Sequence, residues 1–167
     1  MKLGKLGAFA ILDDRSAVAA MDYARRIEQW GYAALWVGEG FGRDVLVTSA
    51  QLLAHTRDIV IASGIANLYA RDAMSMRAAQ RGLNEQFEGR FLLGIGVSSR
   101  QVVTEVRGHA YGKPAATMTR YLQAMKRAPY LAPPPSEDPR TIVAALGPKM
   151  LAVSRDVADG AYTYNMP

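Results

Sequence analysis

Along this chain, short runs of branched and aromatic apolar residues alternate with longer stretches whose apolar residues recur at helical spacing. The runs cover residues 6–12, 33–37, 59–65, 91–97, 141–146 and 161–164. Helix signals fall between them. Ser16 is placed to cap a helix carrying Ala20, Tyr23, Ile27 and Trp30, and Gly31 suits the left-handed position after its last turn. Asp44 caps a helix with Leu46 and Leu53; Asp72 caps one with Met76, Ala79, Leu83 and Phe87. Pro114 and Pro148 sit where a first-turn proline is tolerated, and the helix opened by Pro148 ends at Gly160. Residues 129–139 hold five of the eight prolines and read as a loop.

Six strand–helix steps in series predict a parallel sheet with helices outside it. The runs are continuously apolar rather than alternating, as in strands buried on both faces. Two architectures satisfy this: an open doubly wound sheet and a (β/α)8 barrel. No glycine-rich dinucleotide fingerprint follows the first run, which weighs against the first.

Composition removes several classes of function. Half the residues are apolar and 21% are charged, as in an ordinary globular domain. No apolar run approaches the roughly 20 residues of a membrane span, and Asp13 and Asp14 interrupt the first one. No signal peptide is read, so a cytoplasmic location is expected. Cysteine is absent, which excludes disulfides and thiolate chemistry. The net charge of +5 is spread over predicted helices rather than gathered in a stripe with aromatics, so no nucleic-acid partner is expected. His55 and His109 have no metal-ligand spacing. His55 falls at a helix end and reads as a cap, whereas His109 lies in a loop near the expected pocket mouth.

Six stretches together resemble the luciferase-like monooxygenase superfamily, most closely its deazaflavin (coenzyme F-420) dependent branch. They are G-Y-A-A-L-W-V-G-E at 31–39, I-A-S-G-I-A-N-L-Y-A-R-D at 61–72, G-R-F-L-L-G-I-G-V-S at 89–98, Y-G-K-P at 111–114, A-L-G-P-K-M at 145–150 and A-D-G at 158–160. They occur in the family's order along the whole chain. The resemblance implies a single incomplete domain over 1–167: a partial (β/α)8 TIM barrel of about six βα units, lacking the last two strands. A complete barrel takes about 250 residues. The expectation is therefore a truncated chain, a decayed gene product, or one that covers its open edges with a partner, plausibly a second copy.

In barrels the chemistry sits at the carboxyl ends of the strands. The resemblance implies a bulge with a cis peptide at Gly64–Ile65, continuing through Ala66 and Asn67, behind the cofactor ring. Gly96 would leave room for the ring and Ser98 could donate to it; for Gly94, close packing of the barrel is the plainer reading. At Gly147-Pro148-Lys149-Met150, a glycine precedes a helix N-terminus, whose unpaired amides and dipole suit the cofactor phosphate. Position 40, where some relatives carry histidine, is glycine. Glu39 is left as the titratable group at the second strand end. It would serve as catalytic acid or base beside the ring, or else it pairs with Arg43 or caps the next helix.

The function implied is an oxidoreductase in which deazaflavin exchanges hydride with a small organic substrate. The alternatives are an FMN-dependent monooxygenase on the same fold, or a non-catalytic barrel fragment that needs a partner.

Overall fold

The computed structural model describes residues 3–164. In chain order the elements are β1 (Gly7–Ala10), α1 (Ala17–Gln29), β2 (Ala34–Val37), α2 (Val45–Ala54), β3 (Val60–Ser63), β4 (Ala66–Asn67), α3 (Ala73–Gln86), β5 (Phe91–Gly96), a π-helical turn (Val102–Val106), α4 (Pro114–Arg127), β6 (Thr141–Ala144), α5 (Pro148–Val157) and β7 (Gly160–Tyr162).

All strand pairs are parallel, and the order across the sheet is β1-β2-β3-β5-β6-β7, with β4 continuing β3 alongside β5. That order follows the chain without reversal. A doubly wound sheet reverses direction at a switch point, so the sheet is singly wound. It is also strongly curved. Trp36 of β2 stacks on Tyr162 of β7 with ring centroids 4.9 Å apart. In a flat sheet these strands, four steps apart, would be separated by roughly 19 Å at about 4.8 Å per step. Phe9 and Tyr164 likewise meet, at 5.6 Å. The architecture is a half-barrel, a partial TIM barrel with its aromatic side chains meeting across the concave face.

Alternation along the strands divides the core. Outward-facing Leu35, Ile61, Phe91, Leu93 and Val143 pack with helix residues such as Ala24, Leu52, Met76 and Met118 in the main cluster. Inward-facing Ala34, Val60, Ala62 and Leu92 form a smaller cluster with Trp36 and Ile142. Among the described residues, β1 and β7 each pair on one side only. Phe9, Ile11, Leu146 and Tyr164 stay exposed. No described helix is long and apolar enough to cross a membrane.

The helix boundaries have local causes. The side chains of Ser16, Asp44 and Asp72 accept from amides in the first turns of α1, α2 and α3, at 3.2 Å (Ala19), 2.7 Å (Leu46) and 2.9 Å (Ser75). Gly31 takes φ +80° after α1. Pro114 and Pro148 open α4 and α5. Residues 129–139 are irregular. His55 closes α2, its Nδ1 2.7 Å from the carbonyl oxygen of Gln51. One expectation fails: Trp30 is the C-terminal cap of α1 and is 67% exposed, because the helix ends before this residue can turn onto the core.

A second local device sets the start of β3. The carboxylate Oε1 of Glu28 accepts three successive amides, from Arg57 (2.9 Å), Asp58 (2.8 Å) and Ile59 (2.9 Å). Burial opposes its charged form, but these amides and the charge of Arg90 outweigh that and hold its pKa below the ordinary value. A carboxylate with a lowered folded-state pKa contributes stability above its unfolded pKa and loses it as pH falls through the folded value. Glu28→Gln is expected to lower stability near neutrality by about 1 kcal/mol, discounting for solvent screening. The deficit should shrink as pH drops below about 4, the ordinary carboxylate range. Urea unfolding of both chains at several pH values checks this; a deficit independent of pH would refute the charge-based account.

Candidate active site

The carboxyl ends of β2, β3/β4, β5 and β6 lie together at one end of the sheet, because the strands are parallel and adjacent. Between β3 and β5 the pairing runs Ala62↔Leu92 and resumes at Ala66↔Ile95. Four residues on one strand thus oppose three on the other, which defines a bulge. The Gly64–Ile65 peptide inside it is cis. Ser63 ties the bulge to β5: its hydroxyl donates to the carbonyl of Gly94 (2.8 Å) and accepts from the Gly94 amide (3.0 Å).

Glycine lets side chains pack closely against the strands at this end of the half-barrel. A Cβ at position 96 would come within 2.7 Å of the Ile65 side chain and 3.4 Å of the Ala144 Cβ. At position 64 it would meet Trp36 and the hydroxyl of Tyr162. Gly64, Ile65 and Gly96 therefore come together as expected, against β6. Ser98 takes φ +57°, and its carbonyl accepts from the Tyr111 hydroxyl at 3.1 Å.

Glycine at position 40, read from the sequence as a missing histidine, has a steric cause. A Cβ there would overlap the carboxylate of Asp13. That carboxylate accepts the amides of Gly42 (3.0 Å) and Arg43 (3.3 Å), so the β2–α2 loop is wrapped around it.

Glu39 is engaged by an arginine, but not by Arg43. Its oxygens accept from both terminal nitrogens of Arg71 and from the Asn67 amide at 2.6 Å. Asp44, not Glu39, caps α2, and it also binds Arg71 at 2.7 Å. The Glu39 and Arg71 side chains are 4% and 10% exposed. Burial alone would lower the pKa of Arg71; Glu39 and Asp44 outweigh it and push it further up. Burial likewise penalises ionised Asp44, but the Arg71 contact dominates and its pKa is lowered. The Arg71 carbonyl accepts from the Tyr121 hydroxyl at 2.7 Å. An acid–base role for Glu39 would require opening this pair. Arg71 lies inside the motif quoted above, but sequence reading attached no role to it; the signal available was a strand-end carboxylate that needs a counter-ion once buried.

Gly147, Pro148, Lys149 and Met150 line a depression of about 420 Å³ with Pro114 and Ala115. Two helix N-termini, of α4 and α5, thus face one site. Both begin with proline and neither has a side-chain cap, unlike α1, α2 and α3. A second depression, of about 510 Å³, lies over Glu39 and Arg71 and reaches His109. The two share no lining residue, so Glu39 and the Gly147 turn are not parts of one cavity.

A singly wound parallel half-barrel, with a bulge at the carboxyl end of its third strand, defines an α/β protein of the barrel class. Residues 8–167 match the family model for luciferase-like monooxygenases, and the chain belongs to that family. It is 27% identical over 157 residues to the 5,10-methylenetetrahydromethanopterin reductase of Methanolobus tindarius, covering 83% of this chain and 47% of that protein. It superposes on an F-420-dependent secondary alcohol dehydrogenase bound to an F-420–acetone adduct (TM-score 0.87, 16% identity, 97% of this chain and 58% of the other). It superposes also on the FMN-bound oxygenating constituent of 3,6-diketocamphane monooxygenase from Pseudomonas putida (TM-score 0.72, 14% identity, 93% and 57%). The chain spans about half the length of the proteins it matches.

Proposed function

We propose that this chain forms the ring-holding part of an oxidoreductase that uses deazaflavin coenzyme F-420, with FMN as the alternative, and acts on a small organic substrate. The observation that carries this is the bulge at Gly64–Ile65, packed against Gly96 and tied to β5 through Ser63, on the same end of the sheet as the Gly147 turn. The residues fit such a group. The bulge, fixed to β5 by the Ser63 hydroxyl, offers a firm backing for a flat ring, and Lys149 in the first turn of α5 lines the depression where an anionic tail would lie. Superposition on the F-420-dependent alcohol dehydrogenase supports the deazaflavin choice, and superposition on the FMN-bound monooxygenase supports the alternative.

A bound deazaflavin or flavin would supply the hydride chemistry. The chain's part is to hold and orient. Gly64, Ile65, Ala66 and Asn67 support the ring from behind, Gly96 lets the Ile65 side chain seat beneath it, and Ser98 contributes a hydroxyl. Gly147, Pro148, Lys149 and Met150 hold the phosphate. Glu39 works through its neighbours: by fixing the Asn67 amide and Arg71, it sets the position of the strand end. The open edges and exposed Phe9, Ile11 and Leu146 support a second copy over the open side, which sedimentation of the purified chain tests.

Titration of the chain with F-420 and with FMN tests the cofactor. Saturable F-420 binding is expected, and Lys149→Ala should weaken it about fivefold, about 1 kcal/mol, with the circular dichroism unchanged. Selective tight binding of FMN would refute the deazaflavin choice. Absence of binding by both would favour the non-catalytic fragment.

A further inference from the structure

The depression over Glu39 carries more positive charge than the architecture needs. Arg43, Arg71 and Arg107 line it against two carboxylates, Glu39 and Asp44. Both carboxylates are committed to Arg71. Asp13 lies behind the loop and is engaged by the backbone amides of Gly42 and Arg43. No described carboxylate forms an ion pair with Arg43 or Arg107. Arg43 donates from Nη2 to the Arg15 carbonyl, but its Nη1, like Nε of Arg107, is shielded from solvent and has no hydrogen-bond partner among the described residues. An N–H of a guanidinium removed from water without an acceptor is costly, and a ligand oxygen would relieve it.

Rings stand beside these arginines: Tyr69 and His109 line the depression, and Tyr111 adjoins them. Tyr69 stacks on His109 (6.2 Å, 27° between planes) and on Tyr111 (6.0 Å, 26°), and Arg100 lies 5.1 Å over the Tyr111 ring. Phe41 and Val106 stand exposed at the rim. These residues come from the β2–α2 loop, the β4–α3 loop and the segment after β5, at the same end of the sheet as the bulge at Gly64–Ile65.

We propose that this depression is the substrate subsite and selects a planar substrate bearing an anionic group, carboxylate or phosphate. The ring packs beside Tyr69 and His109 and the anion is held by Arg43 and Arg107. This rests on the oxidoreductase reading for what the site is used for, but the binding itself can be tested without cofactor.

The experiment measures binding of benzoate, phenyl phosphate and the neutral isostere benzamide to the full 167-residue chain by calorimetry. One or both anions are expected to bind at least tenfold tighter than benzamide, the stronger of the two identifying the anion preferred. The preference should weaken with salt. Arg107→Gln and Arg43→Gln should each reduce anion affinity about tenfold and leave benzamide unchanged, with Arg107→Lys retaining part of it. Equal binding of benzamide and both anions by the unaltered chain overturns the proposal, as does an anion preference that survives both glutamine variants. Folding of the variants is checked by circular dichroism, and the comparison within the unaltered chain stands whatever they do. Titration of the same preparations with F-420 and with FMN separates the two readings. Intact cofactor binding without anion preference removes only the subsite, whereas anion preference with neither F-420 nor FMN bound removes the oxidoreductase.

Discussion

Alanine at position 94 is expected to cost about 3 kcal/mol or more of folding stability, a large effect for one methyl group. A Cβ there would overlap the backbone carbonyl oxygen of Ser63. That oxygen belongs to β3 at the start of the bulge, and the backbone cannot rotate away as a side-chain tip could. The same glycine gives both its amide and its carbonyl to the Ser63 hydroxyl, so relieving the overlap also breaks two buried hydrogen bonds. Position 147 is the control. A Cβ there meets nothing within 4 Å, and its φ of −145° suits any residue. Gly147→Ala should leave stability within about 0.5 kcal/mol. Urea unfolding of the three chains tests this; a loss below about 1 kcal/mol for Gly94→Ala would mean that the bulge can be displaced from β5 cheaply.

The difference between these glycines marks what sequence could and could not reveal. Ser16, Asp44, Asp72, Pro114 and Pro148 act within a few residues of themselves, so the helices they open were readable from local pattern. Strand order was readable in outline because continuous apolar runs separated by helices admit few topologies. The bulge at Gly64–Ile65 was reached through family resemblance, since no local rule distinguishes it from an ordinary strand end. The partner of Glu39 was not readable: Arg43 is nearer in sequence, but Arg71, 32 residues away, arrives only when the β2 and β4 ends meet. Trp30 fits the helical period, yet the helix stops at that point. The π-helical turn over Val102–Val106 was also missed, because its Arg107 amide bonds back to Val102, a spacing that apolar periodicity does not report.

Arg71 connects these levels, and removing it should have the second large effect. Arg71→Met leaves the Glu39 carboxylate, 4% exposed, with a single backbone donor, the Asn67 amide. Removing one partner of a buried pair typically costs about 3–5 kcal/mol, because an uncompensated charge stays behind. Against a typical stability of about 5–15 kcal/mol this is a substantial share. Glu39→Gln alone should cost less, about 1–2 kcal/mol, since Asp44 still holds Arg71 and a neutral amide can still accept from Asn67. The double variant decides between a local and a shared role. If the loss in Arg71→Met is the unpaired Glu39 charge, adding Glu39→Gln should recover at least about 1.5 kcal/mol, a strong non-additivity for contacting groups. Purely additive losses by urea unfolding would place the contribution of Arg71 in its contacts with Asp44 and Tyr121 instead. Such a result would also remove the reason for treating Glu39 as the group that positions Asn67. It would then return as a candidate acid or base, to be tested by the pH dependence of turnover in Glu39→Gln.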